Sequence, residues 1–387
     1  MTSGVVDAER RRIRVGPFMW GAGVDLAVFG GSAAVALGAV LAWRALGQDA
    51  ELPEWGWVAL VLAIDVAHVW STIFRTYLDG EELARRPRLY LFLPIALWVA
   101  GALLHAASPL AFWRTLAYLA VFHFVRQQAG WVAIYRARAG ERSRVDRILD
   151  DAAIYLGTGV PLLIWHATLP RPFSWFVHGD FVGTPRLAAL ITPSIALLLA
   201  VLSLFVLRQA QTFVRERRIN LGKITVVGTT ALIWWCGIVG ARGDFEFTIT
   251  NVVIHGVPYF ALLWHYARFR AEEPTGAKTL GGRVVAHGLV AFFGVLLALA
   301  FLEEMVWDRA IWHDRPWLFG GSEGLPGSGG GSAHAMPSTT SWLMTLLVPL
   351  LALPQATHYA LDAFLWRRRD TGPAQARALG FGGPAPR

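Results

Sequence analysis

The chain of 387 residues has one cysteine, Cys236. A single thiol forms neither an intramolecular disulfide nor a thiolate metal cluster. Charge is also scarce: 16% of residues are charged and 55% are hydrophobic, whereas soluble domains carry roughly 25% charged residues. An ordinary soluble domain is excluded on that ground. No strong internal repeat is evident, so the inverted repeats of many transporters are missing. No clear nucleophile or carboxylate pair stands out. The first apolar run follows a long polar arm and continues as a full span, so no cleavable signal peptide is expected.

What the chain has is long apolar runs. Stretches of about 20 residues, each enough to cross the hydrocarbon of a bilayer, recur along it. Ten are expected, near 24–46, 55–78, 88–108, 110–135, 148–168, 186–208, 222–240, 245–267, 284–303 and 341–366. The expected fold class is all-α, a polytopic membrane helix bundle of about ten transmembrane helices. Residues 1–23 form an N-terminal arm, 24–366 the transmembrane domain with an outer loop at 304–340, and 367–387 a tail.

The net charge of +8 invites a nucleic-acid partner, but its distribution argues against one. Arginines cluster at 10–14, 85–88, 136–147, 208–218, 268–283 and 367–369, before the first span and after each even-numbered one. The alternate connections hold few, such as Arg171, Arg242 and Arg309. This is the positive-inside pattern. It places both termini in the cytoplasm and implies an integral protein of a bacterial-type inner membrane. The expected partners are membrane lipids and a lipid-soluble small molecule. In the outer loop, Trp307 to Phe319 reads as an interfacial helix and Gly320 to Ser341 as a flexible stretch. The 169–186 connection, with Phe173, Trp175 and Phe176, reads as a second interfacial cover. The tail after Asp370 reads as disordered.

Four histidines lie deep in predicted spans: His68, His123, His255 and His358. An ionisable side chain in the membrane is costly and marks a functional site by default. All four fall on even-numbered spans, which run in one direction; the sixth span, 187–207, is almost wholly apolar and reads as lipid-facing. Counting residues to the arginines that end each span puts the four within about 9 Å of one depth at 1.5 Å per residue, which helix tilt absorbs.

Each histidine has a polar companion one helical turn away: Asp65 for His68, Gln127 (with Arg126) for His123, Asn251 for His255, and Gln355 and Asp362 for His358. Residues so spaced share a helix face, and a metal-bound imidazole usually gives its second N–H to such an acceptor. The pattern points to a metal centre with His68, His123, His255 and His358 as ligands and His265, near the inner boundary, as a possible fifth. An all-nitrogen site suits non-haem Fe first, with Cu and Zn as alternatives. Haem b held by two histidines is a further alternative.

Arg126 stands out as an anchor for an anionic head, in a polar set with Arg75, Asp79, Asp150 and Asp151. Pro258 and Pro354 are expected to break the helical ladder beside the site. Trp70, Phe74, Phe122, Phe124, Trp131, Tyr259, Phe260, Trp264 and Tyr359 are candidates for the lining of an apolar tunnel.

The segments 68–79 and 358–362 suggest a family. The second, with His358 and Asp362 in a His-x-x-x-Asp element, resembles that of the Brp/Blh-type bacterial membrane β-carotene dioxygenases. That resemblance implies iron held by histidines on several helices and cleavage of a polyene with O₂. The function expected is a membrane-embedded, histidine-ligated oxygenase or oxidoreductase acting on a lipid-soluble substrate such as an isoprenoid or acyl lipid. A bis-histidine haem electron carrier linked to quinone and a proton-coupled transporter are the alternatives.

Overall fold

The computed structural model describes residues 13–320 and 342–365, with 376, 378 and 379. The arginines at 10–12 and 367–369, the Gly/Ser stretch 321–341 and most of the tail lie outside the described residues. The chain is an all-α bundle. Its only strands among those residues are two-residue pieces, Arg14–Val15 and Arg218–Ile219, paired in parallel.

Every predicted span meets a helix. Those long and apolar enough to cross a membrane are α1 (Ala22–Ala45), α2 (Glu54–Arg75), α3 (Pro87–Ala107), α5 (Arg144–Thr168), α6 (Pro185–Glu216), α7 (Leu221–Val239), α8 (Asp244–Glu272) and α9 (Leu289–Trp312). The fourth predicted span is α4 (Pro109–Arg138), 30 residues long and hence about 45 Å at 1.5 Å per residue. Its length suffices, but Arg114, His123, Arg126, Gln127 and Gln128 make it more polar than the other eight. The tenth span is a broken pair, α10 (Trp342–Leu351) and α11 (Leu353–Leu365), bent by 47°.

Local chemistry sets the helix ends. Ser108 accepts from the Ala111 amide and is followed by Pro109 at the first helical position of α4. Ser143 and Asn220 cap α5 and α7 in the same way. Such side chains satisfy backbone donors that a helix start leaves without partners.

α8 is the hub: of its residues only Arg268 and Glu272 are exposed. Membrane helices gain little from apolar burial against each other, so close packing through small residues matters more. Gly256 of α8 is one such contact, since a Cβ there would lie 2.6 Å from Ile64 Cγ2 of α2. Gly237 of α7 faces Thr250 of α8 at similarly close range. α6 is the opposite case. Only Leu198 and Phe205 are buried between Ile191 and Glu216, as its apolar reading predicts.

Three expectations change. Pro258 does not break its helix, because α8 runs unbroken from Asp244 to Glu272. The missing N–H costs one ladder bond, which a packed membrane helix tolerates. Pro354 does stand at a break, in the first turn after the α10–α11 bend. Trp307 to Phe319 is not one interfacial helix. Residues up to Trp312 continue α9, with Trp307 buried against Trp113 and Trp312, and only Pro316–Phe319 forms a separate turn. The indole of Trp307 finds packing partners inside the bundle and so does not need the headgroup layer. The 169–186 connection folds inward as a cover. Phe173 stacks on Phe247 of α8, and Asp180 accepts from the amides of Trp175, Phe176 and Val177.

The polar set expected below the histidines splits into separate groups. Arg75 pairs with Glu82 at 3.1 Å and lies over the Tyr266 ring. Asp79 accepts from Tyr266 and from Arg270. Burial works to raise the Asp79 carboxyl, but those two partners hold it below its ordinary value. Asp150 and Asp151 belong to another network with Arg136, Lys223 and Glu141.

Candidate metal centre

The four deep histidines meet at one point. They come from α2, α4, α8 and α11, and their exposures are 1% for His68, 5% for His123, 0% for His255 and 1% for His358. Around the cluster the ring centres are 4.6 Å apart for His68–His255, 5.0 Å for His255–His123, 4.6 Å for His123–His358 and 5.1 Å for His358–His68. The four imidazoles therefore close a quadrilateral. Two overlapping groups can hold an ion, His68 with His255 and His358, and His123 with His358 and Asp362.

The dimensions can be checked against coordination chemistry. Imidazoles sharing one ion at 2.0–2.1 Å place their ring centres about 4.5 Å apart at right angles and about 5.2 Å apart in a tetrahedron. The four measured separations fall in that interval. Likewise, two ligand nitrogens at a right angle on one ion lie about 2.9 Å apart; His68 Nε2 and His255 Nε2 are 2.9 Å apart, joined in the metal-free chain by a hydrogen bond that His255 donates.

The outer nitrogens decide which atoms face inward. His68 Nδ1 lies 3.3 Å from the Ile64 carbonyl, which can only accept, so Nδ1 carries the proton and Nε2 the lone pair. His358 Nδ1 lies 2.7 Å from Thr72 Oγ1. His123 Nδ1 faces the Asp362 carboxylate at 3.8 Å. His123 Nε2 and His358 Nε2 are buried and have no hydrogen-bond partner among the described residues. His255 lies flat on Phe124, with ring centres 3.5 Å apart, and its Nδ1 is also without a partner. A buried polar atom with no partner is unusual and costs about 1–3 kcal/mol. Two nitrogens in that state, on imidazoles whose ring centres are 4.6 Å apart, are what a cation would satisfy.

The companions read from helical spacing are only partly the ones the structure uses. Asp65 lies 3.6 Å from His68 Nδ1, but the Ile64 carbonyl is nearer. The Asp65 side chain keeps 37% of its surface accessible beside the buried His68. Asp362 serves His123 on another helix rather than His358 on its own. Gln355 turns to Glu303, which also accepts from the Trp70 indole. Asn251 donates to the Phe247 carbonyl and leaves its Oδ1 unpartnered, and neither polar atom of Gln127 has a partner among the described residues.

Arg126 is exposed and donates to the Tyr155 hydroxyl, away from the cluster. His265 is in neither of the two groups that can hold an ion and stacks on Trp20 with ring centres 5.1 Å apart. Of the aromatic candidates, Phe124, Tyr259 and Tyr359 touch the imidazoles. Phe122 is exposed, Trp131 packs on Trp20 and Phe29, and Phe74 and Trp264 pack on Phe292. They do not line one tunnel.

Three groups escape the spacing argument. Thr72 and Tyr259 form a chain from His358 Nδ1 to Asp362, and Glu303 gathers Trp70 and Gln355 beside the site. Thr72 is four residues after His68 and Tyr259 four after His255, so the same rule reaches them once hydroxyls are counted.

Comparison with known families, characterised proteins and solved structures gives no match.

Proposed function

We propose that the chain is a membrane-embedded metalloprotein whose four histidines bind one transition-metal ion through Nε2, and that it oxidises a lipid-soluble substrate such as an isoprenoid or acyl lipid. The observation that carries this reading is the pair of buried, unpartnered nitrogens, His123 Nε2 and His358 Nε2, in a ring of imidazoles of coordination size. Non-haem iron is the proposed metal, because nitrogen ligands suit it and four of them leave positions open. Bound there, iron would supply one-electron chemistry with O₂.

Geometry favours a bare ion over haem. Two histidines would suffice to hold a haem, whereas here four imidazoles pack together with neighbouring ring centres 4.6–5.1 Å apart. A closed His₄ zinc site is the structural rival. Two features speak for an open one: the accessible Asp65 carboxylate beside His68, and the resemblance to the Brp/Blh family carried by His358 and Asp362, both of which lie in the cluster.

The chain's own residues keep water out and hold the ligands still. Phe124 covers His255, the Ile64 carbonyl orients His68, and Asp362 faces His123. We also place both termini on the cytoplasmic side, from the arginine distribution.

Elemental analysis and an absorption spectrum of the purified protein test the reading. One iron per chain without a Soret band is expected. A Soret band would move the assignment to haem, and a metal-free protein that gains none on incubation with Fe(II) would overturn it.

A further inference from the structure

The hydrogen bonds behind the imidazoles run in one direction. Tyr259 donates its hydroxyl proton to Asp362 Oδ1 at 2.7 Å. A phenol has one proton, so at its 3.1 Å contact with Thr72 Oγ1 the Tyr259 oxygen accepts and Thr72 donates. Thr72 then has no proton left for His358. At the 2.7 Å contact with His358 Nδ1 the threonine oxygen must accept, which requires Nδ1–H and leaves the lone pair on Nε2. The other oxygen of Asp362 faces His123 Nδ1.

We propose that Tyr259 is a positioning residue: it sets the tautomer of His358 from two hydrogen bonds away and, by holding Asp362, orients His123 as well. One phenol thereby prepares two ligands contributed by α4 and α11. Without its hydroxyl, the Thr72 proton has no assigned acceptor and can turn to His358 Nδ1. That reversal moves the imidazole proton to Nε2 and removes a ligand lone pair. The consequence for binding rests on the proposed metal centre, but the tautomer is a property of the metal-free chain.

The test uses full-length apoprotein in nanodiscs, with ¹⁵N-labelled histidine and Co(II) as the metal probe. His358 is assigned by the signal lost in His358→Gln. The wild type should show His358 as the Nδ1–H tautomer. Tyr259→Phe should convert a measurable share to Nε2–H and weaken Co(II) binding on the order of 10-fold, as expected for an outer partner of a ligand histidine. Thr72→Val should do the same, and Thr72→Ser should behave as wild type. If Tyr259→Phe does not fold, the contrast between Thr72→Val and Thr72→Ser decides. The proposal is overturned if Tyr259→Phe, or Thr72→Val in its place, keeps both the Nδ1–H signal and wild-type Co(II) affinity. A wild type that binds no Co(II) would instead count against the metal centre, with the nitrogen spectrum still deciding the tautomer.

Discussion

At the scale of single residues, the centre rests on which imidazole nitrogen faces inward. Three of the four rings have an acceptor behind them and His255 has none among the described residues; the acceptors differ in kind. His68 uses a backbone carbonyl that no side-chain substitution removes, whereas His123 faces only a carboxylate. Asp362→Ala should therefore lower metal affinity on the order of 10–100-fold. Asp65→Ala should lower it much less, because the Ile64 carbonyl still fixes His68. Isothermal titration of the two variants with Co(II) checks the ordering, and equal losses would remove the distinction. The four clustered histidines were legible in the sequence, since a histidine deep in a twenty-residue apolar run is conspicuous. Their partners were less so. Spacing along one helix paired Asp362 with His358, while packing between helices pairs it with His123 and Tyr259. Sequence periodicity describes the face of one helix and carries nothing about which neighbour that face meets.

At the scale of helices, the cluster depends on how closely α2 approaches α8. Gly256 follows His255 directly, and a Cβ there would come within 3.7 Å of His68 Cβ besides striking Ile64. Gly256→Val should push the two helices apart and loosen the 2.9 Å approach of His68 to His255. Loss of metal with helical circular dichroism retained is the expected result, and full metal content would show that α2 can yield without disturbing the site. The Asp79–Arg270 pair ties the segment that follows α2 to the end of α8. Breaking a buried pair by removing one partner costs about 3–5 kcal/mol, so Asp79→Ala should lower the thermal midpoint in detergent. The Asp79 carboxyl is held below its ordinary value when folded. Its stabilising contribution is thus present above about pH 4 and is lost as the pH falls through the folded value. A pH series of midpoints should show this loss in the wild type and not in Asp79→Ala. The spans were legible because length and hydropathy are local properties. The unbroken course of α8 through Pro258 and the extension of α9 to Trp312 were not, because neighbouring helices decide both.

At the scale of the whole molecule, a bundle of long apolar helices encloses one buried histidine cluster. The proposed orientation, with both termini cytoplasmic, would put Gly140 and Gly276 on the cytoplasmic side and Gly47 on the other. Reporter fusions at these positions should read accordingly, and an external signal at Gly140 would separate α2 from α4 in orientation. The central claim is that four imidazoles from α2, α4, α8 and α11 hold one metal ion. X-ray absorption at the edge of the bound metal measures this most directly. The account predicts a first shell of nitrogen or oxygen only, at about 2.0–2.2 Å, with multiple scattering from about four imidazoles that falls when any one of His68, His123, His255 or His358 is replaced by Ala. A sulfur shell, a porphyrin pattern, or a spectrum unchanged by all four replacements would contradict it.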